Sequence, residues 1–204
     1  MKRALLELLD ACWANLGPHP RLNLVQGDIY HLPFRKPSFA YVYCLGVLQH
    51  TPDVRRAFLS LPEQLQPGGR LTVDVYPALL ANALWPKYWL RPLTKRLPQA
   101  RLFALVKLMV RFLLPLSLRV GRIPVVGRKL RYAVPVANHE PDFPLSPDQV
   151  REWAILNTYD MLAPAHDHPQ TATTLRRWFQ EAGLVDVQVF RRGHLVGRGG
   201  KAAG

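Results

Sequence analysis

The sequence predicts an α/β fold built on a mainly parallel sheet. Three observations carry that expectation. Short apolar runs alternate with amphipathic helical stretches along much of the chain. One run, FAYVYCLG (39–46), is apolar throughout, as a strand covered on both faces is. The 204 residues, 49% hydrophobic and 20% charged, suffice for one domain with a substantial core and a sizeable insertion.

Residues 4–16, ALLELLDACWANL, read as a helix with apolar positions at Leu5, Leu6, Leu9 and Trp13, stopped by Gly17-Pro18. RLNLVQG (21–27) reads as a first strand and FAYVYCLG as a second. Asp53 is placed to cap a helix over 53–65 whose stripe is Val54, Ala57, Phe58, Leu61 and Leu65, with Pro62 bending or shortening its end. PGG (67–69) reads as a turn and RLTVDVY (70–76) as a third strand. Residues 77–145 follow a different pattern, apolar and basic, with prolines expected to cut the helical material into short pieces. TATTLRRWFQEA (171–182) reads as a helix ended by Gly183, LVDVQVF (184–190) as a strand, and HLVGRG as the start of a last one. The expected organisation is an α/β portion over 1–76, a helical insertion over 77–145, and a return to the α/β portion over 146–204.

The net charge of +13 is unevenly spread. No acidic residue stands between Asp74 and Glu140, whereas twelve Lys and Arg fall between Lys87 and Arg131. An anionic partner is expected for that segment. Cys12 and Cys44 show no metal or redox spacing and read as buried, reduced thiols of a cytoplasmic protein. The start MKRALLELLDACW is broken by Glu7 and Asp10 and does not read as a secretory leader.

Between 21 and 76 the features follow one another as strand-GD-x-x-x-LPF, strand-x-LGVLQH, helix, L-x-P-G-G-R-L, strand. In that order they resemble the second half of a class I S-adenosylmethionine-dependent methyltransferase domain of the type 11 kind, and TLRRWFQEAGLVDVQV resembles that family's last helix and strand. The resemblance implies a Rossmann-like sheet with ligands beyond the carboxyl ends of its strands. It implies that Asp28 accepts a hydrogen bond from the cofactor's adenine amino group, that the Ile29 N–H meets the ring, and that Leu45 and Gly46 line the cofactor. Read plainly, Asp28 caps a turn, as Asp after Gly often does. His50 falls where the family often has a histidine near the methyl donor, as a base or as a packing group at a helix start.

The family's earlier half is not found in these 204 residues: no strand runs into a glycine-rich turn, and no second strand ends in a ribose-binding acid. In the family's sheet those two strands lie between 21–27 and 39–46. Their loss would bare apolar strand edges. Each buried side chain contributes roughly 1.5–3 kcal/mol, against a net stability of about 5–15 kcal/mol. Three expectations follow: a misassigned start with the missing half upstream, a decayed and inactive remnant, or another chain that completes the sheet.

In the insertion, LFALVKLMVRFLL (102–114) is the most apolar stretch, with Lys107 and Arg111 on one helix face and Pro115 expected to end the run. It is too short and too charged to span a bilayer. It reads either as an amphipathic helix on an anionic membrane, with Trp85, Tyr88 and Trp89 as interfacial aromatics, or as a lid over a substrate pocket. Nucleic acid fits a segment dominated by aliphatics less well. NTYDMLAPAHDHPQT (157–171) reads as a loop, and similar segments precede the last helix in some members of the family. Tyr159 and Asp160 are candidate substrate contacts, and His166 and His168 candidate acid–base groups. A metal pair at His166 and His168 is the weaker reading, and a hydrogen-bonded surface loop the plainest. The expected function is methyl transfer from S-adenosylmethionine to an unidentified, hydrophobic small-molecule acceptor. The alternative is a catalytically inactive module of the same family that docks on a membrane or a partner protein.

Overall fold

The structure, a computed structural model, describes residues 10–79, 85–138 and 144–203. The chain divides into two compact units, Met1–Val75 with Gln170–Gly204, and Tyr76–Pro169. The boundary expected at 145/146 thus falls at Pro169/Gln170, because the helix that follows Ser146 packs in the second unit.

The first unit holds a four-stranded sheet. Its strands are β1 (Phe39–Cys44), β2 (Leu65–Val75), β3 (Val185–Arg192) and β4 (His194–Gly200), in the order β1-β2-β4-β3. The α/β class and the mainly parallel sheet are as expected. Strands β1 and β2 pair parallel and β3 runs in the same direction, while β4, inserted between β2 and β3, pairs antiparallel with both. The last two strands form a tight hairpin through Gly193, whose φ of +71° suits glycine. Residues 21–27, expected as a strand, form none; only an isolated bridge joins Asp28 and His31. An extended run without a neighbouring strand leaves its N–H and C=O groups to water.

One face of the sheet is covered. Leu71, Val73, Val75 and Leu195 point into a core completed by Phe58 of α2 (Val54–Leu59) and by Leu175, Trp178 and Phe179 of α7 (Ala172–Glu181). The opposite face carries Tyr41, Tyr43, Arg70 and Arg198, all exposed. The apolar run of β1 therefore alternates in burial and is not covered on both faces as expected. Gly197 and Gly199 are fixed by packing: a Cβ on either would lie 2.6 and 2.7 Å from the Phe179 ring. Asp53 caps α2 by accepting the Arg56 N–H at 2.9 Å, and Thr171 caps α7 through the Thr174 N–H at 3.1 Å. The helix expected over 53–65 stops at Leu59, and Pro62 opens a separate 3-10 turn, Pro62–Gln64. The Pro67-Gly68-Gly69 turn lies inside β2 as a bulge, for Phe39 pairs with Leu65 but Tyr41 with Arg70. Residues 10–16 are helical (α1), with Trp13 and Cys12 exposed; the expected stripe residues Leu5, Leu6 and Leu9 lie outside the described residues. Cys12 is thus not the buried thiol expected, whereas Cys44 is buried.

The second unit is helical: α3 (Pro86–Thr94), α4 (Gln99–Gly121), α5 (Gly127–Leu130) and α6 (Pro147–Leu162). Its core joins Leu102, Val106, Val110 and Leu114 of α4 to Val150, Ala154 and Leu162 of α6. Pro115 does not end the apolar run as expected. It sits inside α4, which continues to Gly121. The stripe of residues four apart, carried on by the buried Ser117, holds the helix through the missing backbone hydrogen bond. A capping box starts α6, with Ser146 and Gln149 bonding reciprocally. The expected loop 157–171 is therefore helical as far as Leu162, and Tyr159 and Asp160 stand on α6.

Candidate functional site

The carboxyl ends of β1 and β2 lie side by side because the two strands are parallel. In an open α/β sheet such ends are where ligands sit. After Cys44 the chain turns through Leu45, Gly46 and Val47, with Gly46 at φ +70° and with Leu45 and Val47 half exposed. A Cβ built on Gly46 would meet no atom within 4 Å, so the backbone there is open to approach. Asp74, near the end of β2, organises this ledge. One carboxylate oxygen accepts the Gly46 N–H at 2.5 Å, and the other lies 3.1 Å from Nδ1 of His194, the first residue of β4. The Asp74 side chain is 17% exposed and that of His194 48%. A carboxylate that fixes one imidazole nitrogen selects the tautomer and orients the ring. Burial, seconded by the Asp74 charge, pushes the Cys44 thiol up to about 11, which keeps it protonated at neutral pH.

The 3-10 turn Leu48–His50 follows the ledge, and the His50 N–H bonds to the Val47 carbonyl at 2.9 Å. Its neighbour Gln49 is fully buried, with neither side-chain polar atom hydrogen-bonded among the described residues.

Asp28 is differently placed. Its side chain is 57% exposed, accepting the Tyr30 N–H at 2.9 Å and lying 3.2 Å from His31 Nδ1. The Tyr30 N–H, then His31, holds its carboxyl below the usual range. The turn itself is well anchored. Ile29 packs on the core and its carbonyl accepts Ser60 Oγ at 2.7 Å, and the Tyr30 hydroxyl accepts the Asp53 N–H at 2.8 Å. As one wall for a nucleoside the ledge fits, since Gly46 admits close approach and Leu45 offers apolar surface. As an enclosure these residues do not fit, because Asp28 faces water with both oxygens engaged in its own turn.

In the helical unit, Tyr159 stands edge-to-face with Phe103 at 5.6 Å and is half-buried, whereas Asp160 is exposed. The His166 and His168 rings are 5.6 Å apart. Between them the Asp167 side chain is buried, paired with Arg91 and lying 3.8 Å from Lys87 Nζ, while Arg91 also donates to the Pro164 carbonyl at 2.8 Å. Desolvation lowers the Lys87 pKa, and the Asp167 charge opposes that shift.

Residues 6–73 match the family described as "Methyltransferase domain". The matched segment, 68 of the 204 residues, is a third of the chain. It contains the turn at Asp28, the ledge and α2, and all of β2 up to Val73. Over 59 residues the chain is 36% identical to a tRNA U34 carboxymethyltransferase of Nautilia profundicola, covering 26% of this chain and 20% of that protein. Among solved structures, a possible exported protein from Bordetella parapertussis aligns over 97% of this chain and 51% of its own, with 15% identity and a TM-score of 0.50, a likeness of fold alone. Human N-acetylserotonin methyltransferase, in complex with SAM, aligns over 96% of this chain and 38% of its own, with 13% identity and a TM-score of 0.46. The chain spans about half the length, or less, of these relatives. Leu45 and Gly46, singled out in the sequence, both stand on this ledge, whereas Asp74 and His194 were not singled out. A visible signal existed: Asp74 is the one carboxylate of β2 and stands near its carboxyl end.

Proposed function

We propose that this chain is part of an S-adenosylmethionine-dependent methyltransferase and that the Leu45–Val47 ledge is its share of the cofactor site. The carrying observation is the position of that ledge, within the family-matched segment, at the carboxyl end of the parallel pair β1–β2. The cofactor, when bound, supplies an activated methyl group. The chain's own residues supply an open backbone at Gly46, apolar surface at Leu45, and an imidazole at His194 held by Asp74. Among the described residues β1 is an edge of the sheet, with Tyr41 and Tyr43 62% and 65% exposed. A further strand laid along β1, from whichever polypeptide supplies it, is the element that closes the site. The acceptor in this reading is a hydrophobic small molecule or a lipid-linked one, in keeping with the apolar surface of the helical unit.

Titration with S-adenosylhomocysteine, followed through backbone amide resonances, tests the reading even at low affinity. Shifts centred on Leu45–Val47 support it. Shifts elsewhere, or none at millimolar ligand, favour a module that binds no cofactor.

A further inference from the structure

A second apolar stripe runs along α4, away from the one that fills the core. The buried residues are Leu102, Val106, Val110 and Leu114. Leu105, Leu108, Phe112 and Leu116 recur at three- and four-residue spacing on another side of the helix, and are 37%, 53%, 65% and 49% exposed. Exposed cations flank them: Arg101, Lys107, Arg111 and Arg119 on α4, then Arg128 and Lys129 on α5. Just beyond α4, Ile123 and Val126 are half exposed, and Val125 is 98% exposed at φ +67°.

We infer that this face of α4 docks on an anionic lipid bilayer, lying in the plane of the interface. Charge complementarity chooses the occupant. The 65 residues between Asp74 and Glu140 contain no carboxylate, so a second copy would bring like charge to like. Nucleic acid would satisfy the cations but leave Leu108 and Phe112 in water. A bilayer surface takes both: leucines and phenylalanine enter the acyl boundary while Lys and Arg stay among the phosphates. No described helix is long and apolar enough to cross a membrane, which agrees with a surface-lying mode. The inference does not depend on cofactor binding and is read without S-adenosylmethionine.

Flotation of the full chain with vesicles tests it. The expected result is co-flotation with phosphatidylcholine vesicles containing phosphatidylglycerol, little with phosphatidylcholine alone, and release as salt rises from about 0.1 M to about 1 M. Failure to float with anionic vesicles at low salt overturns the inference, and this arm needs no variant. Lys107→Glu with Arg111→Glu, and separately Leu108→Asp with Phe112→Asp, should each weaken partition at least roughly tenfold. All four positions are exposed, so circular dichroism should be unchanged. Full binding by the Leu108→Asp, Phe112→Asp variant overturns it in favour of charge attraction alone. A concentration-dependent dimer abolished by that variant, without vesicle binding, overturns it in favour of a second copy.

Discussion

Gln49 places a whole side-chain amide in the interior beside the ledge, with its nitrogen and oxygen unsatisfied among the described residues. A buried polar group without a partner costs about 1–3 kcal/mol, whereas an apolar group of the same shape costs nothing of that kind. Gln49→Met should therefore stabilise the chain by about 1 kcal/mol in urea unfolding; a loss of stability would mean that the amide has a partner in solution. Cys44 gives a pH test. Its ordinary value of 9.0 rises to about 11 in the fold, so the unfolded chain loses this proton first. The stability linked to the thiol is fully present below pH 9 and is lost as pH rises toward about 11. Cys44→Ala should flatten the fall of unfolding free energy across that window, and an unchanged slope would contradict the assignment. At this scale the sequence was only partly legible. Leu45 and Gly46 could be placed from their position after a strand. The pairing of Asp74 with His194 could not, because it joins residues 120 positions apart through the register of β2 against β4.

Among the elements, the sheet and α7 fit together through two glycines. Gly197 and Gly199 admit the Phe179 ring, and an added methyl at Gly197 would lie 2.6 Å from it. Gly197→Ala is expected to destabilise the chain by about 1–3 kcal/mol, by overpacking. Gly193, in the hairpin turn with open space around it, is the comparison: Gly193→Ala meets only backbone strain. Equal effects at the two sites would show that contact with Phe179 is not the cause. Local chemistry made several elements readable. Asp53 and Thr171 are capping residues, Gly183 ends α7 at φ +67°, and the alternation of Val185, Val187 and Val189 with polar residues marks β3. Residues 21–27 have strand composition but no neighbouring strand, and composition does not report a missing partner. Pro115 misled in the opposite sense, because tertiary packing of α4 on α6 outweighs a local helix breaker. The expected loop over 157–171 failed for a similar reason: the apolar positions of α6 run on to the buried Thr158 and Leu162.

At the scale of the whole molecule, the two units divide the labour of the sequence. The first carries the family-matched segment and a sheet covered on one face; the second carries the basic, apolar helices. The order of motifs made the family legible where each motif alone was ambiguous, and the charge distribution marked the second unit as chemically distinct. The division of 146–169 was not legible, since it depends on where α6 packs and not on its composition. In the proposed function the Leu45–Val47 ledge receives the cofactor. The most direct measurement is the amide-resolved titration with S-adenosylhomocysteine, run on the chain and on Leu45→Asp, which alters an exposed side chain of the ledge and should leave the fold intact. Saturable shifts at Leu45, Gly46 and Val47 that disappear in Leu45→Asp are the predicted result. Shifts that ignore the ledge, or that survive unchanged in the variant, would contradict it.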